Sequence, residues 1–236
     1  MAVTGKDILT DAAELLFDND HVRWTLPELV RWLNAGMRDI CLAKPSANSS
    51  TRILTLAAGT LQSVPTATNL SEPLQLIDVV RNITADGPPR VAGRTIKTVS
   101  RDILDSENPN WHNSKYLRFR AEVRNVCFDE QNPLEFYVYP GNDGTGKVEA
   151  VVAQIPAPIV ATGDVTLIDS YNTEIDLPDI YASPLLDYVL ARAYSKDEEG
   201  NYDTRSQMHE QKFAAAIGLK IQVEGASSPN SRRARP

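Results

Sequence analysis

The chain has 236 residues and a mass of 26.0 kDa, and its 42% of hydrophobic residues can build a folded core, which excludes wholesale disorder. The longest uncharged run, between Arg52 and Glu72, is rich in polar residues and excludes a membrane-spanning segment. Two cysteines exclude a disulfide framework, and the first residues lack the apolar stretch of a signal peptide, so an intracellular or assembly-associated protein is expected.

The charges are distributed unevenly. The net charge is −7, and residues 150–224 hold 5 basic and 12 acidic residues, whereas residues 225–236 hold three arginines and no acidic residue. An acidic body with a small basic tail argues against sequence-specific DNA binding by the body. The same balance suits a surface that nucleic acid slides past without sticking.

The chain begins with two predicted helices that form an αα-hairpin. Thr4 and Asp7 have the spacing of a capping box, and the segment from Thr25 to Glu28 combines a capping box with Pro27 in the first turn. Apolar residues then follow at helical spacing. They are Ile8, Leu9, Ala12, Leu15 and Leu16 in the first helix, and Leu29, Val30, Leu33, Met37, Ile40 and Cys41 in the second.

The middle of the chain has the pattern of short β-strands. Strands are predicted at 52–56, 60–64, 76–81, 135–139 and 147–152, with a further one around Val126. The last two flank a Gly/Asn/Asp turn, so residues 136–152 are predicted to form an antiparallel hairpin. Loops are predicted at 85–96 and 156–164, and residues 100–118 are predicted to be irregular with one helical turn before Asn108.

Helices return towards the C-terminus. Ser183 and Pro184 begin a helix whose stripe comprises Leu185, Leu186, Val189, Leu190, Ala193 and Tyr194. A break is predicted at 197–201, followed by a helix to about residue 222. The Ser/Pro/Asn/Arg-rich segment after Gly225 is predicted to be flexible.

These elements predict an α+β fold in which the two ends of the chain form an antiparallel helical bundle. The bundle comprises residues 1–45 and 180–224, a β-rich insert spans residues 46–179, and a flexible C-terminal arm spans residues 225–236. Each helical stripe buries one face and needs an apolar partner. The predicted helical core comprises Leu15, Leu29, Leu33, Met37, Leu186, Val189 and Leu190.

The clearest chemical motif is an incomplete P-loop. Gly141 and Gly146 are separated by four residues and followed by Lys147, but Val148 stands where a magnesium-binding hydroxyl is needed. A P-loop must also open a helix, whereas the residues that follow favour a strand. A hairpin turn without nucleotide is therefore predicted.

Other site chemistries lack the residues they need. The acidic alternation from Asp197 to Asp203 resembles a calcium loop, but Gly200 is misplaced and Met208 stands where a bidentate glutamate is needed. The histidines are scattered, and both cysteines are predicted to be buried apolar residues. No cofactor or metal is expected. The three tryptophans, Trp24, Trp32 and Trp111, suit either an interface or internal packing.

Three segments carry a resemblance to a known family. They are Leu33-Asn34-Ala35-Gly36-Met37-Arg38-Asp39-Ile40 with the following Lys44-Pro45, then Asn108-Pro109-Asn110-Trp111-His112, and Leu177-Pro178-Asp179-Ile180-Tyr181 with the later stretch from Leu186 to Asp197. They resemble the head-to-tail adaptor, or connector, proteins of tailed bacteriophages. The similarity spans most of residues 5–220.

The resemblance implies a structural virion protein at the head–tail junction that is made in the host cytoplasm and is not an enzyme. It implies a homo-oligomeric ring, commonly dodecameric, which docks beneath the portal protein, joins it to tail nozzle or tube proteins and continues the DNA channel. Genomic DNA would pass without sequence-specific binding, and no membrane is involved. By position, the portal or a neighbouring subunit would contact Ile221, Arg232, Arg233 and Arg235.

Two alternatives stay open at this point. The first is a tail-associated peptidoglycan hydrolase, which only the abundance of acidic residues supports. The second is a single-copy scaffold or chaperone, which the stoichiometry of the assembled particle would distinguish from a ring.

Overall fold

A computed structural model describes residues 2–66, 71–129, 131–196 and 202–227, with side chains described except at 202–203 and 219–227. The chain divides into two compact units. The first, here called the helical unit, comprises residues 1–47 and 156–236, and the second, the strand unit, comprises Asn48–Ile155. The chain passes from the strand unit back into the helical unit between residues 155 and 156. The sequence had placed the end of the β-rich insert at residue 179.

Five α-helices and eight β-strands lie within the described residues. In chain order they are α1 (Gly5–Leu16), α2 (Leu26–Ala43), β1 (Ser49–Thr55), β2 (Ala58–Ser63), β3 (Pro73–Ala85), β4 (Val91–Thr95), β5 (Lys97–Thr98), α3 (Arg101–Glu107), β6 (Asn125–Phe128), β7 (Glu135–Asp143), β8 (Lys147–Gln154), α4 (Ala182–Ser195) and α5 (Tyr202–Ser227).

The first two helices begin in different ways. Asp7 N donates to Thr4 Oγ1 at 3.2 Å and Thr4 N donates to Asp7 Oδ2 at 2.8 Å, so the capping box of α1 is confirmed. At α2 no described backbone amide donates to the Thr25 side chain, and the predicted capping box is wrong. The Glu28 carboxylate accepts instead from Lys196 Nζ at 2.6 Å.

The predicted antiparallel bundle formed by the two chain ends is wrong. The fold is α+β with two β-sheets and five helices in the described chain, and helices alone do not line the interior of the helical unit. The segment 156–181, which contains two short 3-10 helices but no α-helix, supplies buried apolar side chains there, namely Ile159, Tyr171, Ile175, Leu177 and Tyr181. Asn34 ties this segment to α2, because its amide donates to Ile159 O at 2.9 Å and its Oδ1 accepts from Ile159 N at 2.8 Å. A segment without periodicity gives no pattern that predicts such burial.

The residues of the predicted helical core fall into three groups. Five are buried, namely Leu29, Leu33, Met37, Val189 and Leu190. Leu186 is half-buried. Leu15 is 49% exposed, because it lies at the margin of the face through which α1 buries Leu9, Ala12 and Leu16.

The strand unit consists of two four-stranded sheets. Their strand orders are β1-β8-β3-β4 and β2-β7-β6-β5, and all pairs are antiparallel except the short parallel pair β5–β6. One apolar cluster joins side chains from both sheets. It includes Leu54, Val79, Val148 and Val152 from the first sheet, and Val126, Phe136 and Val138 from the second.

The hairpin predicted over residues 136–152 is wrong, because β7 and β8 belong to different sheets. β8 pairs with β1 and β3, whereas β7 pairs with β2 and β6. The four strands β1, β2, β7 and β8 form one long antiparallel ribbon, and Leu56 N donates to Gly146 O at 2.9 Å where the ribbon passes from one sheet to the other. The turn residues therefore form a corner, beside a register shift between Gly59 and Leu61.

Three further segments differ from their predictions. Residues 85–96 include β4 rather than a loop only, and residues 100–118 include a helix of seven residues, α3. The helix α5 continues to Ser227, so the predicted flexible arm from residue 225 overlaps the helix at its start.

Candidate interaction surfaces

Potential metal ligands do not cluster among the described residues. No group of three or more His, Cys, Asp or Glu side chains among them could hold a metal ion. His209 Nδ1 lies 2.7 Å from Asp187 Oδ1, where it joins α5 to α4, and His112 Nδ1 lies 2.8 Å from Thr60 Oγ1. The calcium-like alternation around 197–201 lies outside the described residues.

Both cysteines are buried, and burial raises the pKa of each thiol. The pKa of Cys41 is raised to about 11, and that of Cys127 is also raised. A thiol with a raised pKa is protonated at neutral pH and is a poor nucleophile.

The P-loop-like corner is filled by its own chain. Asn142 is fully buried, its Nδ2 donates to Arg120 O and Ala121 O, and its Oδ1 accepts from the amides of Gly144 and Gly146. Strand β8 follows the corner, so the corner does not open a helix as a P-loop must.

The lysine of the P-loop-like corner is engaged elsewhere. Lys147 Nζ donates to Asp86 at 2.6 Å, in a half-exposed ion pair. The corner thus has the hydrogen bonding of a structural turn.

The loop between α1 and α2 presents an exposed aromatic residue. Phe17 is 93% exposed and has a positive φ of 55°, which is uncommon for a bulky side chain. The loop is ordered by Asp18, whose carboxylate accepts from the backbone amides of Val22, Arg23 and Trp24 at 2.9–3.0 Å. Burial opposes ionisation of Asp18, but these three donors outweigh it and lower its pKa.

This loop is a candidate contact for another protein, here called the Phe17 loop (residues 17–24). Val22 is also exposed, and both side chains stand on a backbone that is fixed before any partner arrives. Sequence reasoning missed the loop, because an apolar residue just beyond a helical stripe does not reveal its exposure.

The tryptophans serve internal packing more than exposure. Trp24 is buried and its Nε1 donates to Ala193 O at 3.1 Å, which links the start of α2 to α4. Trp111 is fully buried in the strand unit, where its Nε1 donates to Asp105 Oδ1 at 2.8 Å. Trp32 is half-buried.

The strand unit carries a cationic cleft of about 370 Å³. Arg94, Thr95, Lys97, Arg124, Asn125 and Tyr139 line it. The buried Asn82 side chain connects the two segments that supply these cations, because Asn82 Nδ2 donates to Arg94 O at 2.9 Å and to Val123 O at 2.7 Å. Sequence reasoning missed this cleft, since its cations come from two segments that are distant in sequence, residues 94–97 and Arg124.

Of the four predicted partner-binding residues, only Ile221 lies within the described part of the chain. Ile221 lies in α5, and its side chain is outside the described set. Arg232, Arg233 and Arg235 lie outside the described residues, so their contacts stay predictions.

One comparison with known proteins places the chain. The family model described as "SU10 adaptor protein" matches residues 3–235. A search among curated proteins found no match. Within the described residues, no helix is both long and apolar enough to cross a membrane.

Proposed function

The chain belongs to the SU10 adaptor protein family, whose members are structural adaptors of bacteriophages, and we propose that it joins the phage head to the tail. In this proposal the chain forms a ring beneath the portal protein, binds a tail nozzle or tube protein on the other side, and continues the channel through which genomic DNA passes. A dodecamer is the expected stoichiometry. The match of the family model over nearly the whole chain carries the proposal.

The surface features of the helical unit support a role in protein assembly. The Phe17 loop presents an aromatic side chain on an ordered backbone, as protein-binding anchors do. We propose that it contacts a neighbouring subunit or the portal. A structural adaptor needs no catalytic centre, and we propose no enzymatic activity.

We propose that the C-terminal segment strengthens portal docking. Its three arginines, Arg232, Arg233 and Arg235, can pair with carboxylates in bidentate geometry. Ile221 on α5 would extend the same contact with an apolar side chain.

The proposed function is tested by removing the protein from an infection. A phage that cannot make the chain should accumulate DNA-filled heads and separate tails, and adding the purified chain to the lysate should restore joined, infectious particles. The Lys147→Ala variant is the positive control, because Lys147 forms only a half-exposed ion pair and its loss should leave joining unchanged. Normal joining in the absence of the chain would overturn the proposal.

A further inference from the structure

We propose that the strand unit binds the phosphodiester backbone of double-stranded DNA, independently of sequence, through a defined cationic surface. The surface consists of Lys97, Lys115, Arg118, Arg120 and Arg124, all of which are exposed. The inference goes beyond the proposed adaptor function and does not depend on it, because DNA binding by the purified chain can be measured alone.

The charge of this region opposes that of the whole chain. Residues 81–124 hold nine basic and five acidic residues, although the net charge of the chain is −7. A local concentration of cations attracts phosphates even on an acidic protein, because electrostatic attraction weakens over about 8 Å at physiological salt.

The fold holds three of the arginines in solvent. Phe119 is half-buried and its ring lies against Gly141, where an added Cβ would approach the ring within 2.5 Å. Val123 is fully buried. Phe119 thus packs against β7 and Val123 lies in the apolar cluster of the strand unit, whereas Arg118, Arg120 and Arg124 are exposed.

Backbone pairing brings Lys97 beside this arginine segment. Lys97 N donates to Arg124 O at 3.1 Å, and Arg124 N donates to Tyr139 O at 2.8 Å. The buried Asn82 side chain also connects these segments, because its Nδ2 donates hydrogen bonds to Arg94 O and Val123 O. The cations therefore stand on a preorganised backbone.

The five cations are free to take an external anion. None of them forms an ion pair with another described residue, whereas nearby Arg94 lies 3.7 Å from Glu122 and Arg101 lies 3.4 Å from Asp105. Unpaired exposed cations on one region of a net acidic chain are the expected basis of phosphate contacts.

The surroundings favour nucleic acid over an acidic protein. The cleft beside Lys97 and Arg124 is lined by polar and cationic side chains, with the Tyr139 ring as its aromatic member. Protein interfaces are centred on apolar anchors in desolvated pockets, which this cleft does not offer.

The test measures DNA binding by the full chain. Fluorescence anisotropy with a labelled 30-base-pair duplex of arbitrary sequence, at about 50 mM salt, should show binding that weakens steeply as salt rises. The combined variant Lys97→Gln, Arg120→Gln, Arg124→Gln should bind at least about tenfold more weakly and should lower the slope of log K against log salt by about 2 to 3. Replacing the two arginines by lysine should restore most of the binding.

A matched control separates this surface from net charge. Arg31, Arg38 and Lys212 are exposed cations of the helical unit, and changing all three to glutamine alters the net charge by the same amount. This control should keep wild-type affinity and slope. Circular dichroism and melting temperature should be unchanged in both variants, because all six side chains are exposed.

Three results would overturn the proposal. One is that the wild-type chain fails to bind the duplex at low salt, and another is that the control variant loses as much affinity as the surface variant. The third is that the surface variant keeps its DNA affinity but loses self-association or binding to a portal protein, which would assign the surface to a protein partner.

Discussion

Glu149 accepts hydrogen bonds from two arginines on neighbouring segments, from Arg81 Nε and from Arg90 Nη1, each at 2.6 Å. Its side chain is only 8% exposed. The hydrogen bond from Arg81 contributes most to lowering the pKa of Glu149 below its ordinary value of 4.5. Burial opposes this shift, and the hydrogen bond from Arg90 adds to it. The ionised pairing therefore stabilises the fold above pH 4.5 and is lost as pH falls through the lowered pKa.

Glu149→Gln should lower the free energy of unfolding by about 1–3 kcal/mol at pH 7, because it replaces two charge-assisted hydrogen bonds to a buried carboxylate. Denaturant unfolding at pH 7 and at about pH 3 measures the free energy of unfolding of the variant and of the wild type. The difference between the two proteins should be smaller at the lower pH. Glu122→Gln is the control, since that pair is 54% exposed on both sides and its loss should cost under about 1 kcal/mol. An equal effect of the two variants at pH 7 would contradict the role of Glu149.

Two leucines of the helical unit differ in burial and should therefore differ in their contribution to stability. Leu33 is fully buried, whereas Leu15 is 49% exposed. Leu33→Ala should therefore lower the free energy of unfolding by about 2–5 kcal/mol and Leu15→Ala by under about 1 kcal/mol. Thermal unfolding of both variants compares them, and equal melting temperatures would show that the two sites are packed alike.

Side-chain hydrogen bonds could be predicted from the sequence where the two partners are close along the chain. Thr4 and Asp7 are three residues apart, and their reciprocal hydrogen bonds follow from that spacing. Glu28 has the same spacing from Thr25 but pairs with Lys196, which is distant in sequence and which no local pattern reveals.

The ribbon corner shows why an element can be predicted while its pairing is not. Strands β7 and β8 lie where alternation and the Gly/Asn/Asp turn predicted strands. The same turn residues serve a tight hairpin or a corner between sheets, and the choice depends on which strands pair with each arm. Here β2 pairs with β7 and β1 with β8, and pairing at such sequence separation leaves no local signal.

Asn142→Ala should be strongly destabilising, by about 3 kcal/mol or more, because four hydrogen bonds from one buried side chain hold the corner. The matched control is Asp143→Ala at the next position, where the carboxylate is exposed and accepts from Thr145 N and Thr145 Oγ1, so the loss of stability should be much smaller. Urea unfolding followed by tryptophan fluorescence compares them. A mild effect at Asn142 would mean that the corner does not depend on its amide.

Over the whole chain, the sequence predicted the family, and the segment 156–181 shows what it could not reveal. The segments around Leu33–Ile40 and Leu177–Tyr181 carried the resemblance to phage adaptors, and the family match over residues 3–235 confirms it at the level of a phage structural adaptor. The segment 156–181 folds with the helices through main-chain bonds such as that from Gly5 N to Thr173 O. Main-chain bonds do not depend on residue type, so composition could not predict them.

The C-terminal arginines are tested at this scale, because their proposed role exists only in an assembly. Changing Arg232, Arg233 and Arg235 to glutamine should leave the melting temperature unchanged and weaken binding to purified portal protein, and raised salt should weaken wild-type binding in the same direction. Size-exclusion chromatography with portal protein measures it, with the Arg31, Arg38 and Lys212 triple glutamine variant as the control of equal charge. Undiminished portal binding by the tail variant would remove the tail from the interface.

The proposed role of this chain as the structural link between head and tail can be observed in the mature virion. The decisive measurement is cryo-electron microscopy of the virion, reconstructed at the head–tail junction without imposed symmetry. We predict a ring of density between portal and tail into which copies of the helical unit and of the strand unit fit separately, around an open channel. A junction in which the portal meets the tail directly, or whose density fits neither unit, would show that this chain does not join them.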